Sequence, residues 1–360
     1  MARTDAVWSE QGTTPDAIEA ALRQLLIEAH AEREEAVPAR VLNMIVFVDL
    51  DWTGEIANRL RGVGRYHASR LVVLAYEPKR ERLDARVTIS TDDPASPGEI
   101  AVLRETVVVE LGDRHLDDLV TIADPLVVTD LPTLLWSPHG HHDIVEDLIP
   151  LAQAVLIDSV EEPEVDEALD WACTLSDRAY VVDLAWLRST PWRERVAAMF
   201  DPPWLRGELS IISKVTVRHH PRSTVAAGLY VGWLASRLRW QPARLVSHGG
   251  SLVGTAHASR QDVAVRLQVA PELAVPGLEG LTVETAAGHM LRLDRGRGGL
   301  RAHLAGPQVV SGRKQQTDRE WTIPGASRGE TGVLGEGIRQ ALLRDPTYLP
   351  ALQAARSMLL

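Results

Sequence analysis

The sequence predicts a layered α/β domain with a mixed sheet over residues 1–204, followed by an α+β domain over residues 205–360. One indication is a set of short, nearly continuous apolar runs, which are typical of strands buried on both faces of a sheet. Stretches with helical spacing separate these runs, as in layered α/β folds. Beyond residue 243 apolar and polar residues alternate instead, which favours an antiparallel meander with one face in water.

The elements of the first domain follow one another at short intervals. A helix is expected to begin at residues 14–16, where a capping threonine, a proline and an acid suit the first turn. Segments 82–91 and 105–111 predict a strand pair across a turn-rich bridge, so the sheet should be mixed. The other expectations are strands at 41–48, 71–76, 132–136, 154–157 and 179–182, and helices at 53–61, 115–123, 143–151 and 164–173.

The second domain begins with a short alternating strand at 214–218. A helix is predicted over 223–239, and its small residues, Gly228 and Gly232 among them, would let another element approach closely. Residues 319–328 are expected to form a loop. The remaining predictions are meander strands at 243–247, 251–256, 262–269, 281–285 and 289–293, and a helix at 331–343.

Composition excludes several classes of function. The formal net charge is −11, which argues against nucleic acid as a general partner because phosphate neutralisation needs a basic face. No apolar run approaches 18 residues, so no membrane span is expected. Cys173 is the only cysteine, so an internal disulfide cannot form, and a reducing cytoplasm is the expected location.

The motifs of the sequence predict no catalytic residue, no cofactor and no metal. The sequence contains no P-loop and no nucleophile elbow. Residues 62–64 supply only two glycines of a dinucleotide fingerprint, because His67 stands where the third would be. Residues 139–143 contain three histidines and Asp143, which could hold zinc. The alternative is a polar loop that leads into a helix capped by Asp143.

Several polar clusters remain as candidates for binding. Asp158 and Asp183 follow predicted strands, and ligands of open α/β sheets bind outside the carboxyl ends of strands. Such acids also cap the next helix, so both interpretations stay open. The basic residues of segment 65–70 could hold a phosphorylated sugar or an acidic partner loop, or be ordinary solvated surface. Residues 219–222 could form an anion-binding turn before the helix at 223.

Tryptophan is unusually frequent, with ten residues against two phenylalanines, and six of the ten lie between Trp171 and Trp240. Arginines are interspersed with them. Both residue types are enriched among the anchors of protein interfaces. The alternative interpretation is that these rings fill the core.

Five motifs stand in the order found in one family, at residues 65–70, 130–136, 158–159, 183–193 and 230–240. The chain resembles the glucose-6-phosphate dehydrogenase assembly proteins, also called OpcA. The resemblance implies a non-catalytic assembly factor and allosteric activator whose partner is glucose-6-phosphate dehydrogenase, with glucose 6-phosphate as a further ligand to test. The candidate partner- or ligand-binding residues are Arg65, His67, Arg70, Trp136, Asp183, Trp186, Arg188, Trp192, Arg193 and Trp233.

Two other hypotheses stay open at this point. One is a sensor that binds a sugar phosphate without turning it over. The other is an enzyme acting on a sugar phosphate or nucleotide sugar, with Asp158 and Asp183 converging near a basic group such as Arg70.

Overall fold

The computed structural model describes most of the chain, and helices and strands account for most of the residues it describes. None of the helices in this part of the chain is both long enough and apolar enough to cross a membrane. The described residues are 5–32, 40–61, 63, 69–92, 102–259, 261–310, 313–324 and 329–360.

Contacts divide the chain into two compact units that interleave along the sequence. The first unit comprises residues 1–157, 178–182 and 330–344, and the second comprises residues 158–177, 183–329 and 345–360. The boundary expected between residues 204 and 205 stays a prediction.

The strands, in chain order, lie within a few residues of the predicted segments at most positions, although the first of them was not predicted. They are β1 (Ala6–Glu10), β2 (Leu42–Asp49), β3 (Ser69–Tyr76), β4 (Asp84–Asp92), β5 (Val102–Leu111), β6 (Thr133–Trp136), β7 (Ala154–Ile157), β8 (Tyr180–Asp183), β9 (Ile212–His219), β10 (Gln241–Pro242), β11 (Val246–His248), β12 (Ser251–His257), β13 (Asp262–Val269), β14 (Leu278–Thr285), β15 (Met290–Gly296), β16 (Gly299–Val310) and β17 (Arg313–Pro324).

Helices separate the strands in the first half of the chain and close its end. They are α1 (Pro15–Glu32), α2 (Thr53–Arg61), α3 (Leu119–Ala123), α4 (His142–Leu148), α5 (Val165–Ser176), α6 (Leu184–Arg188), α7 (Thr190–Met199), α8 (Pro203–Arg206), α9 (Thr224–Leu238), α10 (Gly329–Leu343) and α11 (Tyr348–Leu359).

The sheet of the first unit has the order β1-β4-β5-β3-β2-β6-β7-β8. The strands from β5 to β7 pair in parallel, whereas β1 and β4 add antiparallel partners at one edge. Every residue of Leu42–Val48 in β2 is buried, as expected for a strand covered on both faces. The predicted mixed α/β sheet is therefore confirmed.

The sheet of the second unit has the order β10-β12-β13-β9-β14-β15-β16-β17, with β11 paired to β12. Its strands are antiparallel neighbours, as predicted, except that β9 and β13 pair in parallel. The helix α9 lies between β9 and the later strands in sequence and packs against β9 and β13. Along β13 buried and exposed residues alternate, so one face of this sheet is covered and the other is solvated.

Two expectations for the second unit were wrong. Residues 319–324, predicted as part of a loop, belong to the edge strand β17, where nearly all the described side chains are exposed and no apolar alternation marks a strand. The segment 243–247 is not one strand, because β10 and β11 flank residues 243–245.

The small residues of α9 serve the close approach that the sequence predicts. A Cβ atom placed on Gly232 would lie 2.2 Å from the carbonyl oxygen of Ala351 in α11. At Gly228 it would lie 2.5 Å from Cδ1 of Leu359. Helix α11 thus packs directly on the glycine face of α9 and positions Tyr348, at its first turn, beside Asp183.

Candidate functional site

The carboxylate of Asp183 is the centre of a buried polar cluster in the second unit. Asp183 ends β8 and caps α6, because its Oδ1 accepts a hydrogen bond from the amide of Ala185 at 2.9 Å. Ser159 donates its hydroxyl at 2.8 Å and its amide at 3.2 Å. The hydroxyl of Tyr348 donates at 3.3 Å. This acid thus accepts hydrogen bonds from the helix it caps and from two distant segments of the chain.

The environment of Asp183 opposes its ionisation. Burial, and then the nearby charge of Asp158, raise the pKa of Asp183 to about 6. The hydrogen bonds from Ser159 and Ala185 act in the opposite direction.

Asp158 is held by a bidentate ion pair with Arg188. The guanidinium nitrogens Nη1 and Nη2 lie 2.8 and 2.7 Å from the two carboxylate oxygens. The Asp158 side chain is only 4% exposed. A charge-assisted fork of this kind is among the stronger side-chain interactions. Both strand-end acids therefore converge, and the basic group beside them is Arg188.

A second group of contacts joins α6, α7 and the segment before α11. The guanidinium of Arg193 lies 3.4 Å from the centroid of the Trp186 ring and donates to the Trp186 carbonyl at 2.7 Å. Its other nitrogen donates to Thr190 Oγ1 at 3.0 Å. The indole nitrogen of Trp186 donates to Asp345 at 2.9 Å. Burial lowers the pKa of Arg193 to about 10, so the group stays charged at neutral pH.

Tyr230 of α9 lies beside this group and is fully buried. In the part of the chain that the structure describes, its hydroxyl finds no hydrogen-bond partner. Burial raises the pKa of this phenol.

Replacing Tyr230 with phenylalanine is expected to stabilise the protein by about 1 kcal/mol, because a buried hydroxyl without a partner carries a desolvation cost. Thermal unfolding of wild type and Tyr230→Phe tests this. A lower melting temperature for the variant would show that the hydroxyl does have a partner.

The other candidate tryptophans lie in or against the cores of the two units. Trp136 is 1% exposed on β6, with the guanidinium carbon of Arg59 4.8 Å from its ring centroid. Trp192 of α7 is buried. Trp233 is half-buried, 5.6 Å from the Tyr230 ring. Since these rings have mostly internal contacts, their role in binding a partner stays a prediction.

The basic candidates before β3 are only partly described. Arg65 and His67 lie outside the described residues. Arg70 is buried at the start of β3, where Nε pairs with Glu105 at 2.7 Å and Nη1 donates to the Leu126 carbonyl at 3.2 Å. Its positive charge is thus compensated by Glu105 within the first unit.

The histidine clusters have local structural roles. His141 precedes α4 with a left-handed backbone (φ 61°) and packs edge-on to Phe47. The expected cap Asp143 instead lies within the first turn of that helix, where an acid suits the dipole. The ring of His220 accepts from the amide of Arg222, so it takes one of the amides offered to an anion. Among the described residues no cluster suited to a metal ion is found.

Sequence reasoning missed two members of the Asp183 and Trp186 clusters. Asp345 and Tyr348 are more than 150 residues away along the chain from the groups they contact. Nothing local in their sequence marks them. The only indication in the sequence was the glycine face of α9, which predicts that another element packs closely against this helix.

Comparison with known families gives two matches. Residues 61–172 match the family described as the glucose-6-phosphate dehydrogenase subunit N-terminal domain, and residues 179–352 match its C-terminal domain. Among curated proteins, the chain is 28% identical over 151 residues to the OxPP cycle protein OpcA of Synechococcus elongatus (41% of this chain, 34% of that protein). It is 32% identical over 122 residues to its namesake in Synechocystis (32% and 26%). The matched part spans about a third of these relatives.

Solved structures share the fold at low identity. Glucose-6-phosphate 1-dehydrogenase from Mycobacterium avium superposes with a TM-score of 0.54 and 10% identity over 89% of this chain and 91% of that one. The super-repressor mutant of Gal80p from Saccharomyces cerevisiae gives a TM-score of 0.50 at 9% identity, over 88% and 94% of the two chains.

Proposed function

Because this chain belongs to the glucose-6-phosphate dehydrogenase subunit family that includes the OpcA proteins, we propose that it binds glucose-6-phosphate dehydrogenase as a non-catalytic assembly factor and allosteric activator. The enzyme would be the one that opens the oxidative pentose phosphate pathway. The single observation that carries the proposal is the family match over both halves of the chain.

The geometry of the strand-end acids supports a structural use for them. Asp158 is neutralised by a two-point ion pair, and Asp183 is saturated by donors and fully buried. An enzyme that used one of these acids as a general acid or base on a sugar phosphate would need that carboxyl group to be unpaired and accessible to the substrate. Arg70, the cation expected beside them in an enzyme, pairs with Glu105 instead.

An activator of this kind acts by differential binding. It must bind the active form of the dehydrogenase more tightly than the inactive form, and the ratio of the two affinities sets the shift in the equilibrium. Coupling free energies of about 1–3 kcal/mol are typical, which corresponds to about 5- to 150-fold.

Titration of the purified chain onto the dehydrogenase from the same organism is expected to lower KM for glucose 6-phosphate, within that range, or to increase the sedimentation coefficient of the enzyme. Either signal should saturate at a fixed stoichiometry. If neither quantity changes across the titration, the proposal is wrong.

Two controls separate the competing hypotheses. The chain alone, given glucose 6-phosphate and NADP⁺, is expected to form no NADPH. Calorimetry of the chain alone with glucose 6-phosphate tests the sensor hypothesis, because saturable binding without product would favour a sensor.

A further inference from the structure

In the part of the chain that the structure describes, the nine-stranded sheet of the second unit has one face with buried residues, against which α9 packs, and one face with exposed residues. Val215 and Val217 of β9 are buried on the helix side, and Lys214, Thr216 and Arg218, which alternate with them, belong to the opposite side. On that outer face Lys214 is 45% exposed and Arg292 is 48% exposed. We use the name outer face for this side of the sheet from β12 to β17.

The strand register places a low strip across the middle of the outer face. Thr216 of β9 lies opposite Thr282 of β14, and Thr282 lies opposite Arg292 of β15. On the other side Thr216 lies opposite Arg266 of β13. Two short side chains are thus flanked by Arg266 and Arg292, and Arg218 of β9 borders them, with Nη1 3.5 Å from Oγ1 of Thr282. A flat surface with a low centre lets a second sheet approach closely.

The charges of the outer face have both signs in alternation. Lys214 and Glu284 pair at 2.7 Å on neighbouring strands, and Arg292 and Asp294 pair at 2.7 Å on one strand. Arg266 is exposed and has no ion pair among the described residues. A face of mixed sign in a protein of net charge −11 is poorly suited to a polyanion and fits a partner surface that is itself mixed.

The size of the outer face matches the lower end of standard protein interfaces. The strands β12, β13, β9, β14, β15, β16 and β17 lie side by side. At about 4.8 Å per strand they span roughly 30 Å, and three rows of side chains add about 20 Å along the strands. The projected area is therefore about 600 Å², before side-chain relief, against roughly 800 Å² per partner in standard interfaces.

We propose that the outer face is the surface that packs against a glucose-6-phosphate dehydrogenase subunit, sheet against sheet. This inference rests on the proposed function. The fold supports this occupant, since the dehydrogenase of Mycobacterium avium superposes on 89% of this chain and therefore contains a comparable sheet. Two sheets packed face to face lie about 10 Å apart and keep their strands roughly aligned.

Two single substitutions test the surface without touching the core. Arg266→Glu reverses the unpaired cation, and Thr216→Glu fills the low strip with a side chain that Arg266 can pair with. Each is expected to weaken binding to the dehydrogenase by about tenfold or more, because both alter the centre of the interface. The matched control is Arg23→Glu on α1, where the side chain is 71% exposed. It should bind as wild type does.

Binding is measured by titration onto the dehydrogenase, with melting temperatures to show that each variant is folded. Hydrogen exchange of the wild-type complex gives a second readout, in which residues 212–219 and 278–285 should gain protection. Wild-type binding by both variants, or no added protection, would overturn the inference and leave the proposed function standing. Absence of binding by wild type would instead overturn the function. If the variants abolish only self-association, the occupant is a second copy and the inference fails.

Discussion

Replacing Arg188 with methionine is expected to lower the free energy of unfolding by about 3–5 kcal/mol at pH 7.5. The substitution removes the two-point ion pair with Asp158 and leaves that carboxylate buried beside Asp183. Two buried acids without their cation must either keep an uncompensated charge or take up a proton. Methionine keeps most of the apolar volume of the arginine side chain. The loss of unfolding free energy therefore comes mainly from the missing charge and only to a small extent from changed packing.

The deficit of Arg188→Met should shrink as the pH falls. The pKa of Asp183 is raised to about 6 in the folded protein, against about 3.9 in an unfolded chain. Between these values the folded state binds more protons, so its stability relative to the unfolded state rises as the pH decreases. Removing Arg188 leaves the charge of Asp158 beside Asp183 uncompensated, so the folded pKa of Asp183 should be higher in the variant than in wild type. The penalty is therefore present in full above the variant's folded pKa of Asp183 and fades as the pH falls to about 6, the wild-type value.

Denaturant unfolding of the variant at several pH values between 4.5 and 8 tests this. Adding Asp158→Asn to Arg188→Met should restore part of the stability at pH 7.5, since one buried charge is removed. The matched control is Arg178→Met, whose partner Glu146 and own side chain are both about one-third exposed or more, so the loss should stay below about 1 kcal/mol. A pH-independent deficit would contradict the electrostatic account.

Strands that are buried on both faces were the easiest part of the fold to predict. Most residues of such a strand must be apolar, so β2 and β3 appear in the sequence as nearly continuous apolar runs, with Asn43 as an exception in β2 and Arg70 at the start of β3. Edge strands give a weaker signal. β1 and β17 each pair on one side only, and their side chains are largely exposed, so neither has an apolar pattern.

Local sequence patterns also do not predict which strands are neighbours in a sheet or whether they pair in parallel. The alternation in β9 and β13 shows that each has one buried face, but the same alternation suits a parallel or an antiparallel partner. The parallel pairing depends on the path of the chain across the sheet through α9, which is fixed by tertiary packing and not by the local sequence.

For the candidate site, the sequence indicated positions but not roles. Asp158 and Asp183 could be predicted as strand-end acids, and Arg188 lies close by in sequence. Whether such acids are open or saturated depends on Ser159, Arg188 and the distant Tyr348. Tryptophan and arginine are as suitable for a core as for an interface, so Trp186 and Arg193 could not be assigned from composition.

Replacing Gly232 with alanine is expected to cost about 3 kcal/mol or more, because no side-chain movement can accommodate the added methyl group. The new Cβ would lie 2.2 Å from the Ala351 carbonyl oxygen and 3.0 Å from the Ala355 amide nitrogen. Both atoms belong to the backbone of α11, so the two helices must separate. That movement would also pull Tyr348 away from Asp183 and from the Trp186 ring, whose centroid lies 5.7 Å from that of Tyr348.

The same substitution at two other helical glycines separates crowding from helix propensity. At Gly54 of α2 nothing lies within 4 Å of the added Cβ, so Gly54→Ala should gain about 0.5–1 kcal/mol. At Gly228 the obstacle is the end of the flexible Leu359 side chain, so the cost should be intermediate.

Thermal unfolding of the three variants should therefore rank Gly54→Ala above Gly228→Ala above Gly232→Ala in melting temperature. Gly232→Ala should also change the tryptophan fluorescence of the folded state, because α11 positions Tyr348 against Trp186. If Gly232→Ala proved as stable as Gly54→Ala, the close contact of α9 with α11 would be wrong, and so would the placement of Tyr348 in the acid cluster.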